Sequence, residues 1–262
     1  MAAPISIQQT SSLWFVNLKP NPEARLRLFC FPYAGGGVLG FRRWPQYLSD
    51  RIEVWALQLP GRDARWSEAL SRRLLTVATE IAITSRPFLE MPFAFFGHSL
   101  GALMAFEVTR RIRRDLKVEP SRLFVSGCRA PHISYGDLPR HKLPDDQLIN
   151  ELRRLNGTPN TVLESAELMA LMLPMIRADL EMIETYSYTA EPPLSCPISA
   201  FGGLRDSEVR LEHLDAWKSH TTGTFSLSML DGDHFFIKQA ESRLLQQVLA
   251  ELVLAKAAPA AA

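Results

Sequence analysis

The chain of 262 residues, 47% of them hydrophobic, is long enough to bury one sizeable core. Its acidic and basic residues are interspersed and its formal net charge is only +1, so we expect neither nucleic acid nor a membrane surface as a partner. The three cysteines are widely spaced and form no CxxC pattern, and two of them lie in apolar runs, which indicates small buried side chains and a reducing compartment.

Two features of the sequence bear on where the protein resides. The segment from Met1 to Leu13 has neither the basic nor the apolar region of a signal peptide. No apolar stretch is long enough to span a bilayer. We therefore expect a soluble cytoplasmic protein, whose Ala-rich tail over Lys256–Ala262 is frayed.

The predicted strands are short apolar runs that end at turn residues. In chain order they are Arg25–Phe31, Ile52–Leu57, Phe93–Gly97, Arg122–Ser126, Ile198–Phe201 and Phe225–Leu230. Helical patterns lie between or after them, at Ser71–Phe88, Leu100–Leu116, Ser207–His220 and Ala240–Ala255. Most of the strands are continuously apolar, which is typical of strands covered on both faces. This alternation predicts an α/β fold with a mostly parallel central sheet and helices on both faces.

One segment interrupts the alternation of strand and helix. About 70 residues separate the Arg122–Ser126 strand from the next one, which is too many for a single crossover. Helical patterns cover Asp145–Leu155, Ser165–Leu173 and Pro174–Tyr186. We expect one domain with a helical insertion over about residues 132–190, in which most Leu and Met side chains pack on the core and a few line an apolar channel.

The most informative motif is the G-x-S-x-G pattern formed by Gly97, His98, Ser99, Leu100 and Gly101. A predicted buried strand precedes it and a predicted helix follows it, which is the setting of a nucleophile elbow. In such an elbow a strained backbone exposes the serine hydroxyl, and the glycines permit close approach. Ser99 is therefore the candidate nucleophile, and a plain tight turn is the alternative.

A serine hydroxyl needs a general base, and in this type of site the acid and then the histidine follow the serine along the chain. His234 follows the last predicted strand and is the candidate base. Asp206 follows the penultimate strand and is the candidate acid, with Glu208 as its rival. Asp231 and Asp233 are too close to His234 to reach its far ring nitrogen and are expected to shape the loop.

The other histidines fit the role of base less well. His98 adjoins the nucleophile but is expected to point away from it in an elbow. His132 and His141 precede the insertion's helices, and His213 and His220 lie on a predicted surface helix. Position along the chain therefore favours His234.

Backbone N–H groups must stabilise the oxyanion that forms when an ester or thioester is attacked. The residue after the nucleophile, Leu100, supplies one candidate donor. The glycine-rich loop after the first predicted strand supplies the other, for which we choose Ala34, with Tyr33 or Gly35 as alternatives. No metal-ligand spacing and no dinucleotide or phosphate-binding motif occurs, so we expect neither a metal nor a cofactor.

Four arginines lie close together at the end of the Leu100–Leu116 helix: Arg110, Arg111, Arg113 and Arg114. They predict either a solvated helix end, where cations suit the helix dipole, or a docking surface for an acidic partner.

Taken together, the motifs resemble those of the type II thioesterases that accompany nonribosomal peptide and polyketide synthases. The matching stretches are Phe31–Gly37, Leu59–Arg62, Phe96–Gly101, Leu173–Asp179, Glu184–Tyr186, Gly202–Asp206 and Gly232–Phe235. The resemblance implies an α/β-hydrolase fold with a helical lid and a catalytic triad of Ser99, Asp206 and His234. It also implies hydrolysis of acyl groups from the phosphopantetheine arm of acyl or peptidyl carrier domains.

Three other functions stay open at this point. The same triad serves an esterase or lipase that acts on small free esters. A binding protein can keep the fold without activity, although a complete Ser, Asp and His in order argues against it. Acyl transfer or cyclisation, with an internal nucleophile in place of water, is the third. No apolar surface stripe is evident, so we expect a monomer.

Overall fold

The computed structural model describes residues 13–134 and 139–254. Within these ranges the strands are β1 (Phe15–Asn17), β2 (Leu26–Phe31), β3 (Ile52–Leu57), β4 (Phe93–His98), β5 (Leu123–Ser126), β6 (Ile198–Gly203) and β7 (Phe225–Leu230). They form one sheet in the order β1-β3-β2-β4-β5-β6-β7. The β1–β3 pair is antiparallel and the other neighbouring pairs are parallel. The tail at 256–262 and residues 1–12 lie outside the described residues.

From β3 onward the helices of the same ranges alternate with the strands, except that three lie between β5 and β6 and two follow β7. They are α1 (Leu74–Ser85), α2 (Leu100–Leu116), α3 (Asp145–Leu155), α4 (Asn160–Leu163), α5 (Ala166–Glu184), α6 (Leu211–Asp215), α7 (Phe236–Gln239) and α8 (Glu241–Leu254). The predicted α/β class with a mostly parallel sheet is confirmed.

The sheet is buried on both faces, as its continuously apolar strands predict. Along β2, Leu28 and Cys30 belong to one buried cluster and Phe29 and Phe31 to another, because successive side chains of a strand point to opposite faces. The cluster around Phe29 and Phe31 includes side chains of α1 and α2, and the other includes side chains of α8. Helices therefore cover both faces of the sheet, and the carboxyl ends of its parallel strands lie along one edge.

The predicted strands agree with the observed ones to within two residues at each end. The antiparallel edge strand β1 was not predicted, since three residues carry too little pattern. The predicted helix Ser71–Phe88 is shorter, because its last turn is a 3-10 helix containing Pro87. Helix Ser207–His220 begins only at Leu211, since the preceding backbone donates to a loop carboxylate instead of continuing a helix.

The insertion between β5 and β6 differs from its prediction at Pro174. The sequence predicts one helix ending at Leu173 and another starting at Pro174, but α5 runs through the proline without a break. A proline in a helix removes one hydrogen bond and crowds the preceding turn. Side chains on both sides of it, such as Met169 and Met182, are buried, so packing offsets that loss.

The arginines at the end of α2 bind groups of this chain. Arg110 pairs with Glu107 and Glu191, and Arg113 donates to the carbonyls of Pro192 and Pro193. These bonds attach the segment before β6 to α2. The alternative of a basic docking surface therefore receives no support from the structure, because carboxylates already neutralise the cluster.

The three cysteines are free and buried, as predicted. Burial raises the pKa of the Cys30 thiol well above its ordinary value, which keeps it in the unreactive thiol form. Among the described residues, no helix combines the length and the apolar character needed to cross a bilayer.

Candidate active site

The sharp turn between β4 and α2 presents Ser99 at the carboxyl edge of the sheet. Ser99 has φ 54° and ψ −118°, a strained conformation for a residue with a side chain. A Cβ atom at Gly97 would lie 2.2 Å from the Gly101 carbonyl oxygen, and one at Gly101 would lie 2.0 Å from the carbonyl oxygen of Phe31. Both positions therefore require glycine, and the G-x-S-x-G pattern forms the predicted elbow.

Ser99, His234 and Asp206 form one hydrogen-bonded series. The His234 Nε2 atom lies 3.2 Å from Ser99 Oγ, and its Nδ1 atom lies 2.9 Å from Asp206 Oδ2. Asp206 follows β6 and His234 follows β7, so parallel strands bring both to the edge where Ser99 lies. An Nδ1–H that donates to the carboxylate leaves Nε2 free to accept the serine proton.

The backbone around Asp206 keeps its carboxylate in place. Oδ1 accepts from the N–H of Glu208 at 2.8 Å and from that of Val209 at 3.2 Å. The carboxylate side chain has no exposed surface. With both oxygens engaged, Asp206 presents a fixed acceptor to His234.

His98 has a positioning contact that the sequence did not reveal. Its ring points away from Ser99, as expected, and its Nε2–H donates to the carbonyl oxygen of His234 at 2.9 Å. Nδ1 accepts from the Ser126 hydroxyl at 2.9 Å. Burial and the nearby His234 lower the pKa of His98 well below its ordinary value, so a neutral His98 holds the His234 loop against β5.

The rival acid Glu208 does not contact His234. Its carboxylate pairs with Arg140 at 2.6 Å and with Arg154 at 2.7 Å. Burial alone would raise the pKa of Glu208, but the bonds from the two arginines bring it below its ordinary value. Glu208 therefore joins the Asp206 loop to the insertion.

The other candidate groups have different partners. Asp231 pairs with Arg205, while Asp233 accepts from the Phe235 N–H and so shapes the His234 loop, as predicted. His141 contacts Glu184, His132 contacts His220, and His213 accepts from the Arg210 N–H. Within the described ranges no group of three His, Cys, Asp or Glu side chains is arranged to hold a metal ion.

The glycine-rich loop after β2 lies beside the elbow, because Phe31 and Gly97 are paired in register. The N–H of Gly35, one of the alternative oxyanion donors, already donates to Asp179 Oδ2 at 2.8 Å. The N–H of Ala34 has no acceptor in the described part of the chain. Leu100 is the first residue of α2, and the first N–H groups of a helix have no acceptor within the helix.

A buried ion pair next to this loop was not predicted. Arg62 makes two bonds of 2.7 Å to Asp179, which stands 117 residues further along the chain. Both residues lie in stretches that carry the resemblance to known thioesterases, and that was the only signal in the sequence. Their meeting depends on how α5 packs, which local spacing does not reveal.

A cavity of about 1280 Å³ opens onto Ser99 and His234. Aliphatic side chains of the insertion and of the segments around its helices form much of its wall: Leu143, Leu152, Leu155, Val162, Met172, Ile176, Leu180 and Ile183. Of the Leu and Met residues between 168 and 182, Met172 and Leu180 reach it, while Leu168 and Leu171 are exposed. The expectation that only a few line an apolar channel is met.

Comparisons with known proteins agree over nearly the whole chain. A family model for the thioesterase domain matches residues 26–252. The gramicidin S biosynthesis protein GrsT of Aneurinibacillus migulanus is 44% identical over 241 residues, covering 92% of this chain and 94% of GrsT. The type II thioesterase BorB from the borrelidin biosynthetic cluster has a TM-score of 0.86 at 34% identity, covering 94% of this chain and 100% of BorB. RedJ, a thioesterase of the prodiginine pathway in Streptomyces coelicolor, has a TM-score of 0.84 at 41% identity, covering 87% and 91%.

Proposed function

The chain belongs to the thioesterase family, and from this premise we propose that it is an editing type II thioesterase of nonribosomal peptide or polyketide synthesis. Its fold is that of the α/β-hydrolases, as the resemblance implied. The proposed reaction is hydrolysis of acyl or aminoacyl thioesters on the phosphopantetheine arm of carrier domains. The hydrogen-bonded series of Ser99, His234 and Asp206, open to a large cavity, carries this proposal.

The proposed mechanism begins with attack on the thioester carbonyl carbon. Ser99 Oγ forms the new bond while His234 Nε2 takes the hydroxyl proton, and Asp206 stabilises the imidazolium that results. The N–H groups of Leu100 and Ala34 stabilise the oxyanion. Collapse of the tetrahedral intermediate expels the pantetheine thiolate, which leaves with little help because the pKa of a free thiol is only about 8.5.

Water then releases the acyl group from Ser99. His234, after passing its first proton to the thiolate or to solvent, accepts a proton from the attacking water. The second tetrahedral intermediate uses the same two N–H groups. Its collapse returns the proton to Ser99 Oγ and yields the free acid, so no cofactor enters the cycle.

The volume of the cavity supports a substrate made of two parts, an acyl group and a pantetheine arm. Ordinary small-molecule pockets have volumes of about 300–1,000 Å³, and the cavity exceeds that range at about 1280 Å³. Such a volume suits an acyl group together with the end of a pantetheine arm. We propose that the insertion, over about residues 132–190, acts as a lid on a single hydrolase domain, since its helices form one wall of the cavity. We also propose that the protein acts as a monomer, as expected from the sequence.

The test is mass spectrometry of an acyl-loaded carrier domain incubated with the enzyme. Wild type should remove the acyl group, Ser99→Ala should not, and the exposed-serine control Ser219→Ala should behave as wild type. A matched small thioester and oxygen ester are assayed in parallel. If only the oxygen ester is cleaved, the carrier-domain function is wrong and a serine esterase takes its place.

A further inference from the structure

The ion pair between Arg62 and Asp179 is among the most deeply buried charge pairs of the described residues. The Asp179 side chain has no exposed surface and that of Arg62 has 6%. Arg62 belongs to the loop after β3, and Asp179 lies in the second half of α5. Burying two charges costs solvation energy, and apolar side chains of similar size often stabilise a fold equally well. The pair therefore needs an explanation besides stability.

Its contacts converge on the glycine-rich loop. Asp179 Oδ2 accepts from the Gly35 N–H at 2.8 Å, and Arg62 donates to the Gly36 carbonyl at 2.9 Å. Gly35 has φ +77°, and a Cβ atom there would lie 3.0 Å from the side chain of Ile176, one turn before Asp179 on α5. The peptide groups directly after Ala34 are thus held by α5 and Arg62.

We propose that Asp179, held by Arg62, is a positioning residue that aims the Ala34 N–H at the oxyanion. This inference rests on the proposed function and deepens it. The bond at Gly35 fixes the orientation of the neighbouring peptide group, because consecutive peptide planes share a Cα atom and only two soft dihedrals separate them. Asp179 touches neither substrate nor reacting atoms and acts through the loop.

The same contacts couple the insertion to the glycine-rich loop. Asp179 and Ile176 stand on α5, and Ile176 also lines the cavity. A displacement of α5 therefore moves the oxyanion donor as well as the cavity wall. The N–H of Ala34 reaches its working position only when α5 is seated, so that full activity requires the insertion in place.

The test measures how fast a fluorophosphonate labels Ser99, together with kcat and KM for a small acyl thioester. Labelling needs the nucleophile and the oxyanion donors but no thioester or carrier domain. Asp179→Asn should slow both labelling and kcat on the order of 100-fold, with KM changed less than about threefold, since loss of one oxyanion donor acts on the transition state.

Glu107→Gln is the matched control, because Glu107 is a buried carboxylate bonded to Arg110 and Tyr186 and distant in its contacts from the loop. It should lower Tm yet label at the wild-type rate. The apolar double variant Arg62→Met/Asp179→Leu should regain Tm relative to Asp179→Asn and stay slow.

Wild-type labelling rates in a folded Asp179→Asn variant would overturn the inference, as would recovery of rate together with Tm in the apolar double variant. If wild type is labelled at Ser99 but cleaves no thioester, the proposed function fails and the labelling rates still judge Asp179. If wild type is not labelled at Ser99, both fail.

Discussion

The carboxyl edge of the sheet and the insertion between β5 and β6 are held in place in different ways. At the edge, backbone packs against backbone: Gly97 and Gly101 admit no side chain, and the Ser99 N–H donates to the Ser126 carbonyl at 2.8 Å. Such contacts allow little movement without unfolding the sheet. Ser99 can keep its strained conformation because the surrounding backbone leaves it no alternative.

The insertion is attached mainly through side chains. Its own small core consists of Leu148, Leu163, Met169 and Leu173, and charged pairs join it to the rest of the fold, such as Glu181 with Arg72 and Arg154 with Glu208. Partly exposed ion pairs contribute little individually, so they can open and close at small cost. The buried Arg62–Asp179 pair is different, because it holds α5 to the loop after β2. We therefore expect a rigid edge beneath an insertion whose partly exposed attachments can open, and four substitutions test this contrast.

The largest expected effect is at the edge itself. Asp206→Asn keeps the size of the side chain but removes the charge that stabilises the His234 imidazolium, so kcat should fall about 10³- to 10⁴-fold. Because only one carboxylate contact changes, Tm should move by just a few degrees. Thioester hydrolysis followed with a thiol reagent gives kcat. A variant with more than a tenth of the wild-type kcat would contradict the assignment of Asp206 as the acid of the triad.

The substitution Gly101→Ala tests how closely the backbone packs at the carboxyl edge of the sheet. The new Cβ atom would meet the Phe31 carbonyl at 2.0 Å, and the clash should cost about 3 kcal/mol of unfolding free energy. The exposed glycine Gly40, where a Cβ atom would meet nothing within 4 Å, provides the control Gly40→Ala. Urea denaturation of both variants measures the difference, and equal stability would mean that the edge is looser than described.

A pH-dependent contact lies where the insertion leaves the sheet. Burial, followed by the nearby His132 and Arg110, lowers the pKa of His220 to about 4, while an unfolded histidine has a pKa of about 6.5. The unfolded chain binds the proton more tightly, so the stability from this site is complete above about pH 6.5 and is lost as the pH falls toward 4.

His220→Gln should therefore lessen the acid-induced loss of unfolding free energy by on the order of 2 kcal/mol between pH 7 and 4. Urea denaturation at several pH values measures this slope. The pKa of His98 is also lowered, so protonation of His98 still destabilises the fold in acid. The slope should therefore become shallower without becoming flat. An unchanged slope would show that His220 is not held neutral by its surroundings.

The smallest effect is expected where the insertion is joined to the loop that carries Asp206. Glu208→Gln weakens the pairs with Arg140 and Arg154 but keeps the backbone N–H that supports Asp206. The loss of stability should stay below about 1 kcal/mol, while KM for a thioester rises a fewfold as the insertion loosens. The exposed pair of Glu212 and Arg210 supplies the control Glu212→Gln. A kcat loss as large as that of Asp206→Asn would return Glu208 to the position of rival acid.

The same contrast explains what the sequence could predict. Ser99 was predicted as the nucleophile from local spacing, and Asp206 and His234 as its partners from their places after particular strands. The structure brings the three side chains together, because parallel strands bring those ends to one edge. The internal structure of the insertion was harder to predict from the sequence. Pro174 suggested a helix boundary that tertiary packing overrides, and the meeting of Arg62 with Asp179 depends on the placement of α5, which no local pattern encodes.

The proposed mechanism requires that Ser99 become acylated during thioester hydrolysis. The most direct measurement is mass spectrometry of the enzyme quenched with acid during turnover of a small acyl thioester, followed by peptide mapping. We expect the mass of the acyl group on the peptide that contains Ser99, and no such mass in Ser99→Ala. An acyl group on another residue, or thioester hydrolysis by Ser99→Ala at the wild-type rate, would contradict it.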